Sequence, residues 1–201
     1  MKIASFNVRR LGLSKLSDKN VVKYLIKIVS RYSIIVILEV VDKTGKAMAR
    51  FLQELNRSNK KNPYSMVVSS SLGRTTYKEQ FVCLYRKDQA KLVDTYQYED
   101  NQEGDEDAFS REPFILRFSL PSTSKYPDDM ETPTPNIMIL GDFNADGAYV
   151  SKKKMKDIRI RTDSDFHWLI GDDVDTTASL ANDYTYDRKM DDHKPSNHQT
   201  A

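Results

Sequence analysis

The chain has 201 residues, 39% hydrophobic and 30% charged, with 31 Lys and Arg against 29 Asp and Glu for a net charge of +2. That length suits one domain with a sizeable core, and the balanced charge neither requires nor forbids a nucleic-acid partner, so any basic surface has to be local. An apolar run such as Ile34 to Leu38 is far too short to cross a bilayer, and the single cysteine, Cys83, excludes an intrachain disulfide.

Residues 2–8 read as a strand running into Asn7, with Arg9 and Arg10 behind it. Ser17 is placed to cap a helix through about Tyr32, with Val21, Val22, Leu25, Ile28 and Val29 on one face at helical spacing. A buried strand over 33–39 ends on Glu39. Thr44 is placed to cap a second helix whose apolar stripe is Met48, Phe51, Leu52 and Leu55. This βαβα opening favours a layered α/β architecture. Strands then follow at 64–70, 80–86, 91–98 and 113–120, separated by short loops that favour antiparallel pairing. Cys83, inside Phe81 to Tyr85, reads as a core thiol.

Lys60 to Pro63 and Ser71 to Arg74 read as turns, and Glu99 to Asp107 as an acidic loop. Pro121 to Pro135 carries four prolines and no periodicity; such a loop is unusually long for a compact domain. Another strand covers 137–140. Lys152 to Lys156 reads as a solvated helical face, and Phe166, Trp168, Leu169 and Ile170 as a core anchor. After Tyr186-Asp187-Arg188 the structural signal stops. The organisation expected is one domain over 1–190 and a polar, disordered tail over 191–201.

Three apolar strands thus end on oxygen-bearing side chains: Asn7, Glu39 and Asp142, with Asn144 two residues further on. In sheets with helical connections, ligands collect outside the carboxyl ends of strands. Carboxylates and amides there can hold a hard cation, Mg2+, Mn2+ or Ca2+, which stabilises charge on a pentavalent phosphate and activates water.

The segments that carry this pattern are Lys2-Ile3-Ala4-Ser5-Phe6-Asn7, Ile37-Leu38-Glu39-Val40, Leu72-Gly73-Arg74-Thr75-Thr76-Tyr77-Lys78-Glu79, Phe109-Ser110-Arg111-Glu112-Pro113, Gly141-Asp142-Phe143-Asn144-Ala145-Asp146 and Tyr186-Asp187-Arg188. In that order they resemble the deoxyribonuclease I family of the endonuclease/exonuclease/phosphatase superfamily. The resemblance implies a four-layered α/β/β/α sandwich and cation-dependent hydrolysis of DNA phosphodiesters to 5′-phosphate ends. It implies Glu39 as metal ligand assisted by Asn7, with Asp142 and Asn144 holding metal and scissile phosphate. Glu79 and Asp187 would each orient a catalytic histidine. Arg9, Arg74, Tyr77 and Arg111 would touch DNA backbone and minor groove. Glu99, Asp107 and Glu112 resemble a structural calcium loop, and Asp175-Thr176-Thr177 a second. Mg2+ or Mn2+ and Ca2+ are then the cofactors and DNA the partner, with no membrane association and a monomeric chain.

Two departures bear on activity. The family has a strand ending in a catalytic histidine, then a helix, where this chain has the Pro121–Pro135 loop; it also has further strands before a Ser-Asp-His-x-Pro motif. Here Asp192-His193-Lys194-Pro195 follows Arg188 almost at once. It is either that motif with the intervening chain deleted or a coincidence in a polar tail. The chain therefore resembles a shortened member lacking an inner strand, a helix and C-terminal strands. The sequence leaves two functions: a DNase I-like endonuclease, or a catalytically silent DNA- or protein-binding remnant of the same scaffold. A third, weaker resemblance is to superfamily phosphodiesterases of lipid or inositol phosphates. The absence of a leader and the lone cysteine lean towards cytoplasm or nucleus; a secreted protein written without its leader opens the same way.

Overall fold

Residues 1–104, 107–121 and 136–192 are described by the computed structural model, in which the chain divides into two units, Met1–Met130 and Glu131–Ala201. The first unit is built on a four-stranded sheet in the order β1 (Ile3–Leu11), β2 (Ile34–Val40), β4 (Gln80–Arg86), β3 (Tyr64–Val68). β1 and β2 are parallel, and the other neighbours antiparallel. The parallel pair needs a crossover, supplied by α1 (Leu13–Ser17) and α2 (Lys19–Val29). β2 lies inside the sheet, which explains its apolar run from Ile34 to Leu38: both of its faces are covered.

On one face α2 and α3 (Lys46–Ser58) close over the sheet. Leu25, Val29, Met48, Phe51 and Leu55 pack with Ile35, Ile37, Val82 and Leu84, and each such burial is worth about 1.5–3 kcal/mol. The helical stripes read from the sequence are thus core. The opposite face carries Ile34, Cys83 and Val36, against Leu116 and Phe118. These last two belong to β6 (Phe114–Ser119), which pairs antiparallel with β5 (Lys91–Gln97). Cys83 is fully buried, and burial pushes its thiol up to about 12.

The helix starts differ from expectation. Ser17 ends α1, and it is Asp18 that caps α2, its carboxylate accepting from the Asn20 and Val21 amides. α3 begins after Gly45, whose φ of 70° suits glycine. Thr44 accepts only a long 3.4 Å bond from the Lys46 amide, while Asp42 accepts from the Met48 amide at 2.8 Å in a buried position. In both cases a carboxylate near the helix start takes the donors a hydroxyl was expected to take.

The second unit contains an antiparallel sheet in the order β7 (Met138–Asp142), β9 (Asp187–Asp191), β8 (His167–Trp168), with two short helices, α4 (Lys152–Met155) and α5 (Arg159–Thr162). The loss of structural signal after Arg188 is corrected: residues 187–191 form the middle strand, with Arg188 and Met190 buried. Its charged alternation hid it, because the inward positions hold an arginine as well as a methionine. The expected four-residue anchor is also corrected. Leu169 is 51% exposed, while Trp168 is half-buried and donates its indole N–H to the Ile160 carbonyl. The Pro121–Pro135 loop beyond Pro121, and the tail with His193, lie outside the described residues. Among the described residues, no helix is long and apolar enough to cross a membrane.

Candidate active site

In the first unit the site grows from an irregularity in the sheet. The β1–β2 register shifts between Asn7 and Leu11, and the β2–β4 register between Ile37 and Val40. Such bulges re-aim side chains. Here they place Glu39 with a φ of 54°, next to Arg9 and Arg10 with φ of 44° and 55°. A non-glycine residue in the left-handed region costs of order 1–3 kcal/mol, and clustering of such strain is a mark of functional sites. What it secures is a hydrogen-bonded pair: Asn7 Nδ2 donates to Glu39 Oε1 at 2.8 Å, and the Arg10 amide to Glu39 Oε2 at 3.2 Å. The Arg9 amide donates to Asn7 Oδ1 at 2.7 Å, fixing the amide's orientation. Sequence reading gave a role to Arg9 but none to Arg10, whose guanidinium also lies over the Tyr77 ring, 5.3 Å from its centroid.

Tyr77 and Glu79 come from the loop closed by the Leu72–Glu79 bridge. Glu79, expected to orient a histidine, has an arginine as its partner. It is buried and forms an ion pair with Arg111, Nε to Oε2 at 2.8 Å. Gly73 makes room for this pair: its φ is +124°, and a Cβ there would sit 3.2 Å from the Arg111 Cζ. Burial, then the Glu79 carboxylate, raises the Tyr77 phenol above its ordinary value, with Arg10 opposing and Glu39 adding to the rise. Asn7, Glu39, Arg10, Tyr77, Glu79 and Arg111 are therefore one electrostatic neighbourhood. Arg74 is turned elsewhere, its Nε paired with Asp107 at 2.8 Å.

The acidic loop shows a different anchor from the expected set. Asp100 is buried and accepts from the Phe109 amide at 2.7 Å, while its carbonyl accepts from the Asp107 amide. Glu99 is exposed. At the base of the loop, Glu112 Oε2 and Gln97 Oε1 are buried and lack a hydrogen-bond donor among the described residues, although Gln97 Nε2 donates to the Glu112 carbonyl. Two such oxygens suit an oxygen-liganded cation.

In the second unit Asp142 and Asp187 are direct cross-strand partners, a like-charged pairing that destabilises a sheet. Asp187 Oδ1 is buried without a donor. Burial first, and the Asp142 charge second, push the Asp187 carboxyl up to about 6, against a hydrogen bond with Thr176. Asn144, with a φ of 48°, donates its amide to Asp142 Oδ1 at 3.0 Å. Thr176 accepts from the Tyr186 and Asp187 amides. Asp175 accepts from the amide and hydroxyl of Thr177, both at 2.8 Å. Asp146, given no role by the sequence reading, accepts from the Thr185 amide at 2.9 Å, which holds its carboxyl below the usual range. His167 does not stand opposite Asp187: it pairs with Asp191, at the other end of β9.

Among the described residues, no three carboxylate, imidazole or thiol groups converge. The pair Glu39 and Asn7 still fits Mg2+ or Mn2+, because Mg2+ keeps several waters and takes one or two carboxylates plus substrate phosphate. Residues 4–188 match the sequence profile of the Endonuclease/Exonuclease/phosphatase family. The chain belongs to that family. Within it, human deoxyribonuclease gamma is 38% identical over 94% of this chain and 70% of that protein. Bovine deoxyribonuclease-1 is likewise 38% identical, over 94% of this chain and 76% of its own. Among solved structures, humanized D. rerio TDP2 altered by 14 mutations matches with a TM-score of 0.54, covering 95% of this chain and 82% of its own at 10% identity. The last likeness concerns fold alone, and agrees with the mixed α/β architecture expected of a DNase I-like member.

Proposed function

We propose that this chain is a divalent-cation-dependent endodeoxyribonuclease that leaves 5′-phosphate ends. The observation that carries the reading is the Asn7–Glu39 pair, held where the register of two parallel strands breaks, with Glu39 on strained backbone, in a chain whose relatives are deoxyribonucleases. Glu39 and Asn7 would hold Mg2+ or Mn2+, which supplies Lewis-acid stabilisation of phosphate charge and activation of water. Asn7 orients the Glu39 carboxylate, and the Arg10 amide fixes its second oxygen. Asp142 and Asn144 would position the scissile phosphate. Asp187 holds a proton below about pH 6, which suits a group that orients an acid or base. Arg9, Tyr77 and Arg111 would line the DNA backbone, with Arg111 braced by Glu79. Ca2+ would sit at the base of the acidic loop, where Glu112 and Gln97 bring buried oxygens without donors.

The test is nicking of supercoiled plasmid with Mg2+ or Mn2+, with and without Ca2+, and with chelator. Metal-dependent nicks that DNA ligase reseals directly are expected, since resealing needs a 5′-phosphate. Absence of nicking under every cation would overturn the reading.

A further inference from the structure

At the opposite end of the first unit's sheet lies an open groove of about 760 Å³. It is lined by the starts of β1 and β2, the loops after α2 and α3, and the end of β4. Its cations are Lys2, Arg31, Arg57, Lys60, Lys61 and Arg86, and among the described residues no carboxylate lines it. Two of the six are committed. Arg57 pairs with Glu54 at 2.6 Å. Arg86 forms the floor: it donates to the Asn62 and Ser30 carbonyls and to Asn59 Oδ1, and stacks over Tyr64, 4.4 Å from its centroid. Lys2, Arg31, Lys60 and Lys61 are exposed and form no ion pair among the described residues.

A simpler account is that these cations only neutralise the carbonyl ends of α2 and α3. Each helix end carries roughly half a negative charge, and among the described residues the acids bonded to groove residues are Glu54, with Arg57, and Asp88, which accepts from Asn62 Nδ2. That leaves roughly three positive charges uncompensated, more than helix ends can use. The groove is too open and too polar to enclose a small apolar molecule, since such sites bury most of their ligand. Lysine and arginine beside serine and amide groups such as Ser58 and Gln89 are the donors that proteins present to nucleic-acid phosphates.

We infer that this groove is a second DNA-backbone docking site, separate from the hydrolytic site. Ser33, at the groove, and Glu39 are six residues apart along one extended segment, roughly 20 Å. The groove therefore holds a different stretch of DNA, or a second duplex, and raises the local concentration of substrate. Because it reads phosphates alone, it has no sequence preference.

The experiment measures anisotropy of a labelled 20-base-pair duplex in chelator, across salt concentrations, for the parent and for the combined Arg31→Gln, Lys60→Gln, Lys61→Gln variant. Binding by the variant should weaken about tenfold or more at low salt, and its log–log salt slope should flatten by about 2.7, or about 0.9 for each phosphate no longer neutralised. Amine labelling of the parent should show Lys60 and Lys61 protected by the duplex. All three side chains are exposed, so the melting temperature should hold. Equal affinity and slope, with no protection, would overturn the inference. Protection by tripolyphosphate but not by duplex would also overturn it, making the groove a small-polyphosphate site. None of these measurements needs hydrolysis, so failure of the parent to nick plasmid would remove the nuclease reading and leave this one standing.

Discussion

The two units put their charges in opposite places. The first unit is held by apolar burial: Val29, Ile35, Leu55, Val82 and Leu84 are all fully buried, and its exposed Arg74–Asp107 pair sits at 47% and 62% side-chain exposure. In the second unit the buried apolar side chains, among the described residues, are Ala145, Met155 and Met190, and the largest fully buried side chain is Arg188. Arg188 donates to Asp172 at 2.8 Å and to the Ala145 carbonyl at 3.0 Å, with the Trp168 ring 5.5 Å away. Arg161 shares both Asp172 and that ring. A small unit short of apolar volume can close around a guanidinium whose two terminal nitrogens are hydrogen-bonded, but its stability then depends on charge. The first unit can carry strained, functional charge at its edge because burial elsewhere holds the fold.

The sharpest way to use that difference is Glu39→Gln. The strain at Glu39 serves the carboxylate, so removing the charge should spare the fold and remove the proposed metal site. Losing about 3 kcal/mol of transition-state stabilisation slows nicking by more than roughly a hundredfold. Plasmid nicking and a thermal melt on the same sample check this. Unchanged nicking would mean that the site is misassigned.

Arg188→Met probes the other side. The Ala145 carbonyl loses its donor, and Asp172 keeps only Arg161. Because Asp172 is half exposed, the cost falls below that of a stranded buried charge, at about 2 kcal/mol. Amide hydrogen exchange should quicken over residues 138–142 and 187–191 while residues 34–40 and 80–86 stay protected. Equal loosening of both sets would break the contrast between the units.

These two variants also mark what was legible in the sequence. The first unit's strands and helical stripes could be read because its core is apolar and periodic. Glu39 and Asn7 were legible because each follows an apolar run, although β1 continues past Asn7 to Leu11. The strand 187–191 was not, since a buried arginine breaks the apolar alternation that identifies a half-buried strand. The caps were displaced to Asp18 and Asp42 because a carboxylate competes strongly for the same amides. Arg10 and the Glu79–Arg111 pair depend on bulge geometry and on contacts 32 residues apart, which periodicity does not encode.

Asp187 gives a smaller, pH-dependent effect confined to the second unit. Its folded value of about 6 lies above the ordinary carboxylate value. Between about pH 4 and 6 the folded state therefore holds a proton that the unfolded state has lost. Stability from this group falls as pH rises through that window, and the loss is complete above about pH 6. The group is partly solvated, so the effect is about 1 kcal/mol. Asp187→Asn should stabilise the second unit by about that amount at pH 7.5 and change little at pH 4, read as the parent-minus-variant difference in exchange protection. A difference that does not vary with pH would remove the desolvation argument.

The smallest effect belongs to the exposed pair, and it completes the comparison. Arg74 and Asp107 hold each other at 2.8 Å on the surface, where such a pair contributes about 0–1 kcal/mol. Asp107→Asn should therefore shift the melt by no more than this, far less than Arg188→Met. Its consequence for DNA runs the other way. With Asp107 in place, the Arg74 charge is answered within the protein; without the carboxylate, Arg74 keeps its hydrogen bond to the residue-107 carbonyl but its charge is available to a phosphate. Binding to a duplex in chelator should then gain up to about 0.9 in log–log salt slope, with tighter binding at low salt and little difference at high salt. Fluorescence anisotropy over a salt series separates the outcomes. If the slope is unchanged, Arg74 does not reach DNA. If the protein is instead destabilised as strongly as by Arg188→Met, the surface pair is structural, and the first unit leans on charge as the second does.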